Sequence, residues 1–301
     1  MYKIGIATDS HSGISKKEAE LHGIHVLPMP FFMDEESLYD DSNLDREAFY
    51  ERMKAGAKVS TTQPSPADVM HFWDELLAIY DKVVYIPISS GLSGSCTTAC
   101  AMAQDAPYEG RVFVVDNGRV SVPQYRTVLD ALELVKEGYD AEQIRTILEA
   151  SRDKAIIYVG VESLEYLKRG GRLSATSATV GTLLNIKPVL KFSVGQLDVH
   201  RKCRGFAKAR KEMIEAMRNE FQTTFREEYE RGEVYLMAAS SADPRTTADW
   251  LSQIREAFPG MEVLCDDLAL AVTCHIGPGG LGIACSCRPS RDVASSPENT
   301  R

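Results

Sequence analysis

Twenty-two consecutive residues, Val83 to Gln104, contain no Asp, Glu, Lys or Arg, and neither do the twenty from Leu268 to Cys287. By length alone either stretch could cross a membrane. Their composition points elsewhere: Pro87, Gly91 and Gly94 interrupt the first among serines and threonines, and the second holds His275, Pro278 and four glycines. Both read as buried strand running into polar loop, and such loops line ligand sites. No integral membrane segment is expected.

Around these stretches the first half of the chain alternates strand and helix. Lys3 to Thr8, Ile24 to Pro28, Val83 to Ile88 and Arg111 to Val115 read as strands. Helices fit Ser15 to Leu21, Leu44 to Lys54 with Asp45 as cap, Pro66 to Ile79, Leu92 to Gln104 and two spans within Val122 to Arg152. Phe31 to Tyr39 suits a hairpin turning at Asp34, Glu35 and Glu36. A βαβα rhythm argues for a parallel sheet covered by helices, with ligands beyond the carboxyl ends of its strands.

After about residue 155 the texture changes. Ile156 to Val161 reads as a strand, Ser163 to Lys168 as a short helix, Ser174 to Leu184 as a helix of small residues, and Ile186 to His200 as an antiparallel pair. A long amphipathic helix fits Phe206 to Tyr229. Strand, helix and strand follow at Val234 to Ala239, Thr246 to Phe258 and Glu262 to Leu264. The expected fold is therefore α/β: an N-terminal parallel-sheet domain over residues 1–158, a second α/β domain with a mixed sheet over 159–288, a ligand site between them and a disordered tail at 289–301. The 301 residues suffice for two such cores.

A net charge of −9 excludes a broad basic surface for nucleic acid, so any phosphate site must be local. The apolar run at the N-terminus ends at Asp9, too short for a signal-peptide core, and a cytoplasmic monomer is expected. Seven cysteines without CxxC spacing read as reduced thiols. Cys96 with Cys100 and Cys285 with Cys287 could face one another in pairs, but as small buried hydrophobes they need no metal. Neither metal nor cofactor is expected.

Three motifs carry chemistry. Ser89-Ser90-Gly91-Leu92-Ser93-Gly94-Ser95 follows a buried strand and opens a helix, where free amides and the Ser93 hydroxyl suit a carboxylate or phosphate; the plainer reading makes Ser93 only a helix cap. Ser65 and Pro66 explain the start of the next motif's helix, yet leave Thr61 and Thr62 over, one able to face a ligand and the other the backbone. Lys168, Arg169 and Arg172 flank Gly170 and Gly171, and with Lys202 and Arg204 they form either a solvated helix end or a local phosphate-facing patch. Gly277 to Gly282 matches GxGxxG but lacks room for a dinucleotide-binding unit and reads as a tight loop.

The serine loop narrowly misses a hydrolase elbow. A serine hydrolase using Ser93 with His275, the histidine of the glycine-rich loop, is therefore the enzyme alternative, although the sequence identifies no orienting acid for His275 and nothing singles out Asp266 or Asp267 for that role. A phosphosugar or nucleotide binder at the same helix start is a third.

Taken together, Thr8-Asp9-Ser10, TTQPS at 61–65, SSGLSGS at 89–95, LKRGGRLS at 167–174, LLNIKPVL at 183–190 and HIGPGGLG at 275–282 resemble the DegV family in order and spacing, over residues 1 to 287. That resemblance implies a two-domain α/β protein that binds a long-chain fatty acid and serves as the acyl carrier of a fatty-acid kinase. It implies a carboxylate held by Thr61 and Ser93, with Thr62, Gly94 and His275 beside them and the chain in an apolar tunnel. Arg172, Lys202 and Arg204 become candidates for facing phosphate or kinase. The sequence differs from the family pattern at Thr62, a hydroxyl for a hydroxyl, and at Asp116 to Gln124, where Pro123 replaces a flexible position; the second bears on the tunnel's shape, not on the carboxylate site.

Overall fold

The computed structural model describes residues 3–40, 45–173 and 186–295. The chain opens with β1 (Ile4–Asp9), α1 (Lys16–His22) and β2 (Ile24–Leu27), then the hairpin β3 (Pro30–Met33) and β4 (Glu36–Tyr39). Next come α2 (Arg46–Lys54), β5 (Val59–Thr61), α3 (Pro66–Leu77), β6 (Lys82–Ile86), α4 (Gly94–Met102), β7 (Val112–Val114), α5 (Val122–Glu137) and α6 (Ala141–Ala150). Local chemistry sets the boundaries. Asp45 caps α2, and Ser65 caps α3 in a reciprocal box with Asp68, Pro66 taking the first helical position.

Strands β2-β1-β6-β7 form a wholly parallel sheet. Successive side chains point to opposite faces, so Ile6, Val84 and Ile86 pack with Val128, Ile144 and Leu148 of α5 and α6. On the other face Ala7, Val83 and Tyr85 meet Val69, Trp73 and Leu76 of α3. Burial on both faces explains why β6 reads as an uninterrupted apolar run. A small antiparallel sheet, β4-β3-β5, brings Thr61 opposite Phe31.

The second half contributes β8 (Ala155–Gly160), α7 (Glu165–Arg169), β9 (Ile186–Ser193), β10 (Gln196–Arg204), α8 (Phe206–Gln222), α9 (Arg226–Glu230), β11 (Val234–Ser240), α10 (Pro244–Ala257), β12 (Val263–Asp267), α11 (Leu270–Ile276) and β13 (Leu281–Cys287). Its mixed six-stranded sheet runs β10-β9-β8-β13-β11-β12, with only β11 and β12 parallel. One face, through Tyr158, Leu236, Ile283 and Cys285, packs on Met213 and Met217 of α8 and Trp250 and Ile254 of α10. The opposite face, through Val159, Phe192, Leu197, Ala239 and Ala284, turns toward the first sheet. Helix α5 touches strands of both sheets, and its Arg126 lies 4.2 Å over the ring of Tyr235.

Four sequence expectations need correction. The span Phe206 to Tyr229 is two helices, not one: the break falls at Thr223, whose hydroxyl bonds back to the Asn219 carbonyl, an interaction that bends helices. Leu270 to Ile276, within the stretch read as buried strand and loop, is α11. The GxGxxG stretch is a turn only through Gly280, and Gly282 lies within β13. Residues 289–295, expected with a disordered tail, return to the first half: Asp292–Ser295 lies against α6, and Arg291 holds Glu137 at the end of α5 through two hydrogen bonds of 2.8 and 3.1 Å. The small-residue helix expected at Ser174 to Leu184 lies outside the described residues, as do residues 296–301.

Candidate functional site

A cavity lies between the mixed sheet and the carboxyl ends of the parallel strands. Its apolar walls include Ile157, Val159, Phe192, Leu197, Ala239 and Ala284 from the mixed sheet, Leu268, Ala271, Val272 and Ile276 from α11 and the turn before it, and Ile88, Leu92, Val120 and Val122 from the first half. Its polar residues are His11, Thr61, Thr62, Gln63, Ser93, Ser121, Arg172 and His275. A neighbouring polar vestibule shares Leu92, Ser93, Arg172 and Leu197 with it, and is otherwise walled by residues including Gly94, Gly171 and Gly195.

Ser93 both caps α4 and lines the cavity. Its Oγ accepts from the Ser95 amide at 3.3 Å and lies 3.0 Å from Ser95 Oγ; with Ser95 as the donor in that hydroxyl pair, the Ser93 proton can be directed at a ligand. The loop before it is fixed by close backbone approach. A side chain at Gly91 would come within 2.1 Å of the Gly195 carbonyl oxygen, so only glycine lets the β9–β10 hairpin seat against this loop. Gly94 begins α4, whose first amides favour an anion.

Thr61 Oγ1 and His275 Nε2 are 2.9 Å apart. The other ring nitrogen, Nδ1, is buried without a partner, against Gly170. An orphaned N–H is costlier than an orphaned lone pair, so the proton belongs on Nε2 and is donated to Thr61. The Thr61 hydroxyl proton is then free for a ligand. Burial, with Arg172 and His11 adding to it, lowers the His275 pKa to about 3, so the ring is neutral at physiological pH. Thr62 donates its hydroxyl to the Gln63 carbonyl at 3.3 Å.

Asp40, from the first half, accepts the Leu270 and Ala271 amides at 2.8 and 3.2 Å and so fixes the start of the helix that carries His275. Arg172 donates to the Leu92 carbonyl at 3.2 Å and the Gly170 carbonyl at 2.5 Å, which keeps a guanidinium beside both cavity and vestibule.

A sequence model of the DegV family, described as uncharacterised, matches residues 3–287. The chain belongs to the DegV family. Protein DegV of Bacillus subtilis is 31% identical over 287 residues, covering 94% of this chain and 99% of that one. A DegV domain-containing protein of Deinococcus radiodurans is 32% identical, covering 93% and 97%. Among solved structures, a DegV family protein from Thermus thermophilus described for its fatty acid binding superposes with a TM-score of 0.83 at 30% identity, covering 95% and 99%. DegV of Bacillus subtilis, described as a fatty acid binding protein, gives 0.81 at 28%, covering 95% and 100%.

In this DegV family member, Thr61, Thr62, Ser93, His275 and Arg172 all line one cavity, and Gly94 borders the adjoining vestibule. Lys202 and Arg204 do not line it. Both are exposed on β10, five and seven residues past Leu197, about 16 Å or more along the strand. The pairing required of a hydrolase is not formed either. No described hydrogen bond joins Ser93 to His275, and His275 is already engaged by Thr61. Of the two acids considered, Asp267 faces Arg46 at 3.9 Å, while Asp266 is half-buried near Gly13, where desolvation raises its pKa to about 7. Among the described residues, no group of three or more His, Cys, Asp or Glu is placed to hold a metal, and no helix is long and apolar enough to cross a membrane.

Sequence reasoning missed His11. Its ring Nδ1 lies 3.1 Å from Asp9 Oδ1, and a carboxyl oxygen there assigns the ring proton to Nδ1. The Thr8-Asp9-Ser10 motif was the available signal, one residue short. Ser121 was missed as well; it lines the cavity with φ 57° and ψ −142°, a conformation that costs a non-glycine residue about 1 to 3 kcal/mol.

Proposed function

We propose that this chain binds a long-chain fatty acid. Its carboxylate takes the free protons of Thr61 and Ser93 at the start of α4, beside neutral His275, and its acyl chain fills the apolar cavity. The observation that carries the reading is the cavity's division into a small cluster of hydroxyl, imidazole and guanidinium groups and an otherwise aliphatic and aromatic wall. A fatty acid divides in the same way. Burying about fourteen methylenes at about 0.8 kcal/mol each gives about 11 kcal/mol gross, enough for micromolar or tighter binding after ordering costs. The fatty-acid-binding relative from Thermus thermophilus supports the same reading.

Titrating the delipidated protein with palmitate should give saturable one-to-one binding, with octanoate much weaker and a fluorophosphonate leaving Ser93 unlabelled. Stoichiometric labelling of Ser93 would favour the hydrolase instead.

The binding reading extends to presentation of the carboxylate to a fatty-acid kinase. Arg172 at the vestibule supports this, because an acyl phosphate adds negative charge there and guanidinium forks suit phosphate; Lys202 and Arg204 would act farther out, on the kinase-facing surface. Arg172→Ala should still give saturable palmitate binding and slow phosphorylation by a cognate kinase. Equal turnover at equal affinity would make the cation an ordinary structural contact.

A further inference from the structure

Gly282 is the only glycine among the described residues that line the cavity. A glycine inside a strand weakens the sheet, and the other glycines of its segment have structural reasons to be there. Gly277 and Gly279 have φ of 80° and 84°, and side chains at Gly277 and Gly280 would come within 2.5 Å of Tyr166 and Ile276. Gly282 has none of these reasons. Its φ lies outside the left-handed region, and an added Cβ would meet nothing nearer than the Ala239 carbonyl oxygen at 3.4 Å, an ordinary contact. What its missing side chain preserves is space in the cavity.

The register of the sheet shows the shape of that space. At one level Val159, Gly282 and Ala239 lie side by side on β8, β13 and β11; at the next, Leu197, Phe192, Ile157, Ala284 and Met237 cross from β10 to β11. Large side chains on β9 and β8 thus give way to Gly282, Ala284 and Ala239, with fully buried Met237 closing the far side. From behind, Trp250 donates to the Gly282 carbonyl at 3.0 Å, which fixes the floor. Strand β13 is three strands from β10, about 14 Å, and it is Leu197 of β10 that borders the polar vestibule.

We propose that Gly282 sets the length of acyl chain the cavity accepts, by letting the distal methylenes pass over bare main chain. This rests on the fatty-acid reading. The experiment measures binding of laurate, palmitate and stearate to the delipidated full chain and to Gly282→Ala and Gly282→Val, with thermal unfolding alongside. Valine favours strands, so the variants should unfold at or above the parent's midpoint. Gly282→Val should weaken stearate and palmitate at least tenfold while laurate stays within about threefold. Gly282→Ala, adding one methyl at ordinary contact distance, should move in the same direction by less and keeps the test available should valine disturb the fold. Equal losses for all three acids would place Gly282 at the head-group end, and unchanged affinities would remove it from the chain's path; either overturns the proposal. A parent that binds none of the three would overturn the fatty-acid reading itself.

Discussion

Asp9→Ala is expected to lower stability by about 3 to 5 kcal/mol, the largest effect of any single substitution considered. Asp9 is completely buried. Its Oδ1 accepts from the His11 amide, His11 Nδ1 and Gln124 Nε2 at 3.1, 3.1 and 3.0 Å, and its Oδ2 from the Ile88 amide at 2.8 Å. Alanine would leave three buried donors, the His11 amide, His11 Nδ1 and the Ile88 amide, without an acceptor, each carrying its full desolvation cost, while Gln124 Nε2 keeps Thr8 Oγ1 and the Ile86 carbonyl. The damage would also reach the cavity, because His11 lines it and Ile88 leads into the serine loop. Asp9→Asn keeps the shape and one acceptor oxygen, so its loss should be smaller. Urea unfolding checks both variants, and a loss below about 1 kcal/mol for the alanine would show that water replaces the carboxyl readily.

The second large effect concerns affinity. Hydrogen bonds to a charged group contribute about 1.5 to 3 kcal/mol, so Ser93→Ala should weaken palmitate binding by about one to two orders of magnitude. Thr61→Val should cost at least as much, since it also deprives His275 Nε2 of its acceptor at 2.9 Å. Stability should respond differently. Ser93→Ala removes a helix cap and should cost about 1 kcal/mol, while in Thr61→Val the strand preference of valine is set against the cost of leaving the buried His275 N–H without its acceptor. Calorimetric titration of both variants separates the two quantities; a Ser93→Ala protein with undiminished affinity would reduce Ser93 to its capping role.

Much of the fold is legible where one local signal dominates. Asp45 and Ser65 mark helix starts by chemistry that acts within three residues, and Val83 to Ile86 announces a central strand because both its faces are buried. The failures share a different cause. His275 reads as loop because Gly277, Pro278 and Gly279 follow it closely, yet Asp40, 230 residues from Leu270, supplies the acceptor that lets α11 begin. No local pattern encodes that partner. At the site, Thr61 and Ser93 were accessible because hydroxyls beyond a cap's needs ask for an explanation. His11 was not, since its orientation depends on Asp9, Gln124 and the Ile88 amide just past β6, more than seventy residues away. Gly282 was visible only as part of a repetitive glycine motif, and its distinction from its neighbours is steric.

The most direct test of the account is organic extraction of the protein as purified, followed by mass spectrometry of the extract. A buried apolar cavity with one polar end should retain a long-chain fatty acid in near-stoichiometric amount, and the Thr61→Val, Ser93→Ala double variant should retain much less. Recovery of no fatty acid, together with no binding of added palmitate or oleate, would contradict it.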